Sequence, residues 1–293
     1  MKQLNRFFVQ KMVMAAVISF FFLSSKAQYY YRDIMLTAQS GEQQQLYKKN
    51  RIAYVQLHSY EADSSPSENF ECKVVPNGSF TQIRTYTNST STGISSLSAY
   101  YNFRGMLYKS VDSTADLITT YTYIYDSTGK LYSATSVSSS VTADKKKSIS
   151  EGETHIWHYT SDGYPFDMLY INNEDTTVVK FKLDDAHNII EEESWFRNVS
   201  KGKTYYYYDD LNRLTDIVRF NPRLQRLMPD YIFEYDTAGK ISRMITVQPG
   251  GNDYLTWLYT YNEKSLKTEE RCYNKQKRLL GKITYEYGIR GKE

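Results

Sequence analysis

The chain has 293 residues, with 36 Lys and Arg against 33 Asp and Glu, so its net charge is only +3 and both signs are interspersed. That balance argues against a nucleic-acid binder or a membrane-surface specialist. Tyrosine is the outlier, 29 residues against six prolines and three tryptophans, and tyrosine and threonine favour pleated, half-buried surfaces over helix.

The N-terminus reads as a targeting segment. Lys2, Arg6 and Lys11 form a positive region ahead of an apolar run of twelve residues, Met12 to Leu23, followed by Ser24-Ser25-Lys26-Ala27. A membrane span needs about 20 apolar residues. Small residues at Ser25 and Ala27 suit leader-peptidase cleavage before Gln28, and no cysteine stands there for a lipid anchor. The expected division is a leader, 1–27, an N-terminal cap, 28–60, and a repeat array, 61–293. No apolar run after Leu23 is long enough for a membrane helix, so no membrane span is expected after cleavage.

Ser40-Gly41-Glu42-Gln43 has the form of a capping box and predicts a short helix from Gly41 to Lys49, with Asn50 as its left-handed terminator. Arg51 to Tyr60 alternates as a strand. This piece is expected to cover the first open edge of a sheet.

From residue 61 onward a frame recurs: an anchor, a polar residue, two variable residues, Gly or Asn, a basic or other residue, an apolar residue. It is sharpest at Tyr125-Asp126-Ser127-Thr128-Gly129-Lys130-Leu131, Tyr208-Asp209-Asp210-Leu211-Asn212-Arg213-Leu214 and Tyr235-Asp236-Thr237-Ala238-Gly239-Lys240-Ile241. Weaker copies begin at Val74, Tyr101, Tyr159, Leu183 and Tyr261, and a last one at Tyr287. The spacing is 24–27 residues except for one interval of 34. Asp or Asn after the anchor can bond backbone two residues on. Gly or Asn four residues past the anchor can take positive φ.

The strand before each turn alternates. Tyr121, Tyr123 and Tyr125, or Tyr231, Phe233 and Tyr235, share one face and polar residues the other, so the anchors are expected to face the core. The returning strand puts Leu214 and Ile217, or Ile241 and Met244, three apart, which predicts a β-bulge. Polar loops are expected at Ala62 to Asn69, Asn88 to Ser98 and Ser138 to Glu153. The fold class is all-β: tandem hairpin repeats of about 24–27 residues forming an extended or curled antiparallel sheet with a short N-terminal capping helix.

The three sharp copies resemble the YD repeats of the RHS family, carried by Tyr125, Asp126, Gly129, Lys130 and Leu131, by Tyr208, Asp209, Arg213 and Leu214, and by Tyr235, Asp236, Gly239 and Lys240. The Lys-Ala-Gln ending of the leader resembles those of secreted Bacteroidota proteins. The family's long arrays build a spiralling β-shell, sometimes around a C-terminal toxin. This chain has a longer period and fewer copies, and it ends inside a repeat. The resemblance therefore implies the fold element and secreted or surface work on carbohydrate or protein partners, not a toxin cage.

Candidate chemistry is sparse. His155 and His158, three apart on a strand, face opposite sides and cannot share one ion. The acidic clusters Asp184-Asp185, Glu191-Glu192-Glu193 and Asp209-Asp210 single out no facing pair of the kind a glycosidase needs. No catalytic, cofactor-binding or metal residue is assigned, and no cofactor. Cys72 and Cys272 are too far apart in an elongated sheet to bridge, and a bridge would imply a closed array. The binding hint is Tyr205 and Tyr207, out of phase with Tyr206 and Tyr208, and Tyr100 beside Tyr101: aromatics on the second face, able to stack on sugars or anchor a partner. The function expected is an exported, non-enzymatic binding or scaffolding protein of the cell envelope or extracellular space. A secreted carbohydrate-active enzyme is the alternative. No nucleic-acid partner is expected.

Overall fold

The structure, a computed structural model, describes residues 28–90, 93–141, 147–149, 152–221, 223–247 and 253–291. The expected leader, 1–27, lies outside them. Every described strand pairs antiparallel with its neighbours, and the strands close into an 18-strand barrel, correcting the expected extended or curled sheet. Lys147–Ile149 is a short continuation of the stave Glu153–Tyr159, since both pair with Leu131–Val141.

Closure happens between the ends of the chain. The first strand, Ile52–Glu61, pairs with Glu71–Pro76 on one side and with the last strand, Leu279–Ile289, on the other. The seam runs in one register from Tyr54↔Gly288 to Glu61↔Gly281. An open sheet would leave two rows of unpaired backbone groups at its edges, and the seam satisfies both at once.

The repeat frame turns at one end of the barrel. Asp126 Oδ1 accepts from the backbone N–H of Thr128 and Lys130 at 2.8 and 2.9 Å, and Asp209 and Asp236 repeat this with Leu211 and Arg213, and Ala238 and Lys240. Asn102 and Asn262 do the same. The fourth position takes positive φ whether glycine or not, as at Gly129 (93°), Asn212 (58°) and Ser265 (58°).

The predicted bulge follows these turns. Tyr125 pairs with Leu131 but Ile124 with Ser133, which leaves Tyr132 as the extra residue, and the same shift follows the anchors Tyr101, Tyr159, Leu183, Tyr208, Tyr235 and Tyr261. The anchors face inward, as expected, and six also act as clamps. The hydroxyls of Tyr125, Tyr159, Tyr208, Tyr235, Tyr261 and Tyr287 donate to the carbonyls of Leu107, Leu131, Ile189, Leu214, Ile241 and Lys267 at 2.7–2.9 Å. Each acceptor lies beside the bulge of the preceding repeat, where the ladder is interrupted. Burial pushes the hydroxyls of Tyr125 and Tyr235 up to about 12, so they remain donors at any ordinary pH.

Barrels of 16–18 strands can hold an aqueous channel. Here the chain's own N-terminal segment occupies the lumen. A π-helical stretch, Tyr30–Met35, runs into helix α1, Leu36–Lys49. Its side chains touch inward residues around more than half of the ring: Tyr101, Phe80, His155, Tyr170, Tyr206, Tyr231 and Phe233. The expected capping box is not a cap. Ser40 sits inside α1 with its hydroxyl 2.9 Å from that of Tyr101, and the helix begins earlier than Gly41. Asn50 follows α1 with φ −90°, and the left-handed residue is Arg51 at 55°. The helix caps no sheet edge, because the barrel has none.

Cys72 and Cys272 are both free and buried. The first and last strands lie between them, three strand spacings or about 14 Å. Closure therefore does not bring them within the ~7 Å a bridge allows.

Candidate functional site

Two regions concentrate unusual chemistry, one inside the barrel and one outside. Inside, the strand Ile189–Phe196 presents Glu192, only 1% exposed, to the start of the N-terminal segment. Glu192 Oε1 accepts from the backbone N–H of Gln28 and Tyr29 at 2.8 and 3.1 Å; Oε2 accepts from the N–H of Tyr30 at 3.0 Å and the hydroxyl of Tyr206 at 2.9 Å. These are the amides a helix leaves without partners at its N-terminus. Burial pushes the Glu192 carboxyl above its usual range, against the pull of those donors. Glu191 and Glu193 point outward instead, with Lys182 and Lys203 3.0 and 2.9 Å from Glu191 and Lys203 3.6 Å from Glu193. The acidic run is thus two outward-facing, largely covered ion-pair members around one buried acceptor.

One turn along, Asp33 Oδ2 lies 2.5 Å from His155 Nδ1 and accepts from Trp157 Nε1 at 3.2 Å. Arg32 Nη2 lies 3.0 Å from His155 Nε2. Arginine can only donate, so His155 accepts at Nε2 and donates from Nδ1 to Asp33. Burial alone would raise the Asp33 carboxyl, but His155, Arg32 and Trp157 outweigh it and hold it low. An Asp–His pair of this kind suggests a general base, yet the nitrogen that would take a proton is occupied by a guanidinium. The arrangement binds segment to wall. His158, by contrast, faces outward beside Asp167 at 2.6 Å, so the two histidines lie on opposite faces, as their spacing predicts.

A third inward carboxyl, Glu270, is approached by Lys267 Nζ at 2.5 Å and by the hydroxyl of Tyr285. Among the described residues, no group of three or more His, Cys, Asp or Glu is placed to hold a metal, and no helix is long and apolar enough to cross a membrane.

Outside, Tyr205 and Tyr207 share the outer face of the strand Val199–Tyr208, opposite Val218 and Asp216, and Tyr207 is 48% exposed. Tyr100 is also on the outer face, 6.3 Å from the ring of Tyr108 and beneath Lys109. Seven strands separate Tyr100 from the Tyr205–Tyr207 pair, so the three form two places, not one. Between them, the bulge residues Tyr108, Tyr132 and Phe166 and the adjacent Ile124 stand exposed near the turns. This stretch was missed from sequence. Its signal is the residue following the apolar end of each frame, which the bulge turns outward. The outer wall also carries charge pairs, Arg243–Glu234 and Arg271–Glu269 at 2.6 Å and His58 3.2 Å from Glu286, beside further exposed apolar residues such as Tyr86, Ile190 and Leu258.

No protein-family model matches the chain, and no curated protein matches it. Among solved structures it is similar to a porin-like protein from Bacteroides uniformis, at 10% identity and a TM-score of 0.39, covering 82% of this chain and 97% of that one. A porin-like protein from Bacteroides vulgatus aligns at 11% identity and a TM-score of 0.24, covering 81% and 98%. The Tc holotoxin pore of Photorhabdus luminescens aligns at 10% identity and a TM-score of 0.30, covering 75% of this chain but only 16% of that one. All three scores are below 0.5, and the barrel rests on this chain's own strand pairing.

Proposed function

We propose that this chain is an exported, non-enzymatic barrel of the cell envelope or extracellular space that binds or scaffolds a partner through its outer wall. The observation that carries this reading is the packed lumen of the barrel together with the ion pairs spread over its outer wall. A membrane barrel shows lipid an apolar band about 25 Å tall and keeps its polar groups inside. This barrel fills its lumen with Trp157, Tyr206, Phe233 and its own N-terminal segment, and places Lys182, Lys203, Glu191, Glu193 and Arg271 outside. Such a wall favours water on the outside and leaves the lumen to structure. Tyr205 with Tyr207, and Tyr100 with Tyr108, are the contacts we assign to a carbohydrate partner or an envelope protein. The YD-like turns support an RHS-type repeat origin.

Fractionation of cells expressing the full sequence tests this reading. The protein should leave with the periplasm or the medium without detergent. Retention in the membrane fraction after alkaline carbonate washing would sink it. The released protein, applied to a glycan array, should lose its signal in the Tyr205→Ala, Tyr207→Ala double variant if that pair is the binding place.

A further inference from the structure

Gln28 combines three features unusual for a residue with chain on both sides. It is 4% exposed, inside the lumen. Its backbone nitrogen lies 2.8 Å from Glu192 Oε1, while its side-chain amide donates to Asp230 at 2.6 Å. Its φ is 100°. For an L-residue that angle is disfavoured, because the carbonyl of the preceding residue crowds Cβ. Without a preceding residue the clash does not exist.

Glu192 raises the complementary question. It is a fully buried carboxylate, and the four donors described around it are neutral: three backbone amides and a tyrosine hydroxyl. Buried charges are ordinarily paired, and a charge-assisted hydrogen bond is roughly twice as strong as a neutral one. A cation at the position of the Gln28 nitrogen would add a charge to this described donor set.

We propose that Glu192 is the docking site for a processed chain terminus: removal of residues 1–27 turns the Gln28 amide into an α-ammonium that pairs with Glu192 inside the lumen and locks the N-terminal segment there. This rests on the export reading. In the cleavage step one water hydrolyses the Ala27–Gln28 peptide bond. Its oxygen goes to the Ala27 carboxylate, and both its protons end on the Gln28 nitrogen. The ammonium then sits among Glu192 and the first amides of the segment, and relief of the φ constraint adds to the gain. The unprocessed chain offers Glu192 only a neutral N–H, so processing strengthens the contact that holds the segment in the lumen. The pairing also protects Gln28 from cyclising with loss of ammonia, because a protonated amine cannot attack the side-chain carbonyl.

Two chains test this directly: residues 28–293 with Gln28 first, and residues 25–293, which keep Ser25, Lys26 and Ala27 ahead of it. The first should unfold about 4 °C or more higher. The gap should close in Glu192→Gln, whose amide oxygen still accepts N–H groups but carries no charge. A second readout does not depend on stability. Amine acylation near neutral pH, followed by peptide mass mapping, should label the terminus of the longer chain but spare Gln28 until the protein is unfolded. Equal midpoints, a gap that survives in Glu192→Gln, or rapid acylation of Gln28 in the native protein would overturn the proposal. The intact mass of the chain exported from a bacterium reads the export step separately. Gln28 as the first residue supports it, and a retained leader removes the export reading whatever the paired chains show.

Discussion

At the scale of single residues, the anchor tyrosine does two jobs with one side chain. Its ring packs inward beside the turn, and its hydroxyl reaches back to the carbonyl beside the neighbouring bulge. Tyrosine combines an apolar ring with a donor at that reach, and this role accounts for six of the 29 tyrosines. Tyr235→Phe keeps the ring and removes the donor to Leu214, a residue 3% exposed. An unsatisfied buried carbonyl costs about 1–3 kcal/mol, so the denaturant midpoint should fall accordingly. Tyr125→Phe, on a distant strand, should add to it within a few tenths of a kcal/mol. Tyr207→Phe, on the outer wall, should leave the midpoint unchanged. If Tyr235→Phe is as stable as the parent, the clamps contribute only packing. The inward direction of the anchors was legible from alternation alone. The clamp was not, because its acceptor belongs to the preceding repeat and only the folded register brings them together.

At the scale of elements, the frame's turns and the strands before them were legible because their chemistry is local, as Asp126, Gly129 and the alternating tyrosines each act within a few residues; the loops expected at Asn88 to Ser98 and Ser138 to Glu153 are in large part strand, within Gln82–Ser89, Gly93–Tyr101 and Leu131–Val141. The N-terminal segment was misread for the opposite reason. Tyr30 and Tyr31 carry strand-like propensity, and Ser40 to Gln43 imitate a start signal, but the segment is helical because the lumen wall supplies Glu192, His155 and Phe233 as partners. Tertiary context overrides propensity there. The parity of Glu192, between two residues paired outward with lysine, was the one readable sign of a buried acceptor. The close fit of α1 to the turns makes a counter-intuitive prediction. Gly→Ala within a helix ordinarily stabilises by roughly 1 kcal/mol. At Gly41 a Cβ would meet the Gly105 carbonyl oxygen at 2.9 Å, and that turn is held by Asn102. Gly41→Ala should therefore lower the thermal midpoint, whereas Glu42→Ala, on the exposed side of the same helix, should not. A stabilised Gly41→Ala would mean that α1 rides loosely over the turn.

At the scale of the whole molecule, the sequence pattern carried the repeats but not their closure. A period of 24–27 residues is compatible with a rod, a spiral or a ring. The choice depends on strand number and on accumulated twist and bend, to which each bulge contributes. The deciding pairing, Val55 with Tyr287, joins residues from opposite ends of the chain, and no local pattern encodes it. Cys72 and Cys272 sit one strand outside this seam on either side, both facing inward. Burial pushes their thiols up to about 11 and about 12. A thiol reagent attacks through the thiolate, so at mildly alkaline pH both groups should be silent in the closed barrel for want of both access and charge. In a sheet open at its first and last strands, the neighbouring Cys72 would lie near a free edge and react. The native protein should therefore release no colour with a chromogenic disulfide reagent, and the denatured protein should titrate as two free thiols. Reaction of Cys72 alone under native conditions would mean that the seam opens readily. Two silent thiols in denaturant would mean a bridge, which the three-strand separation forbids in the closed ring.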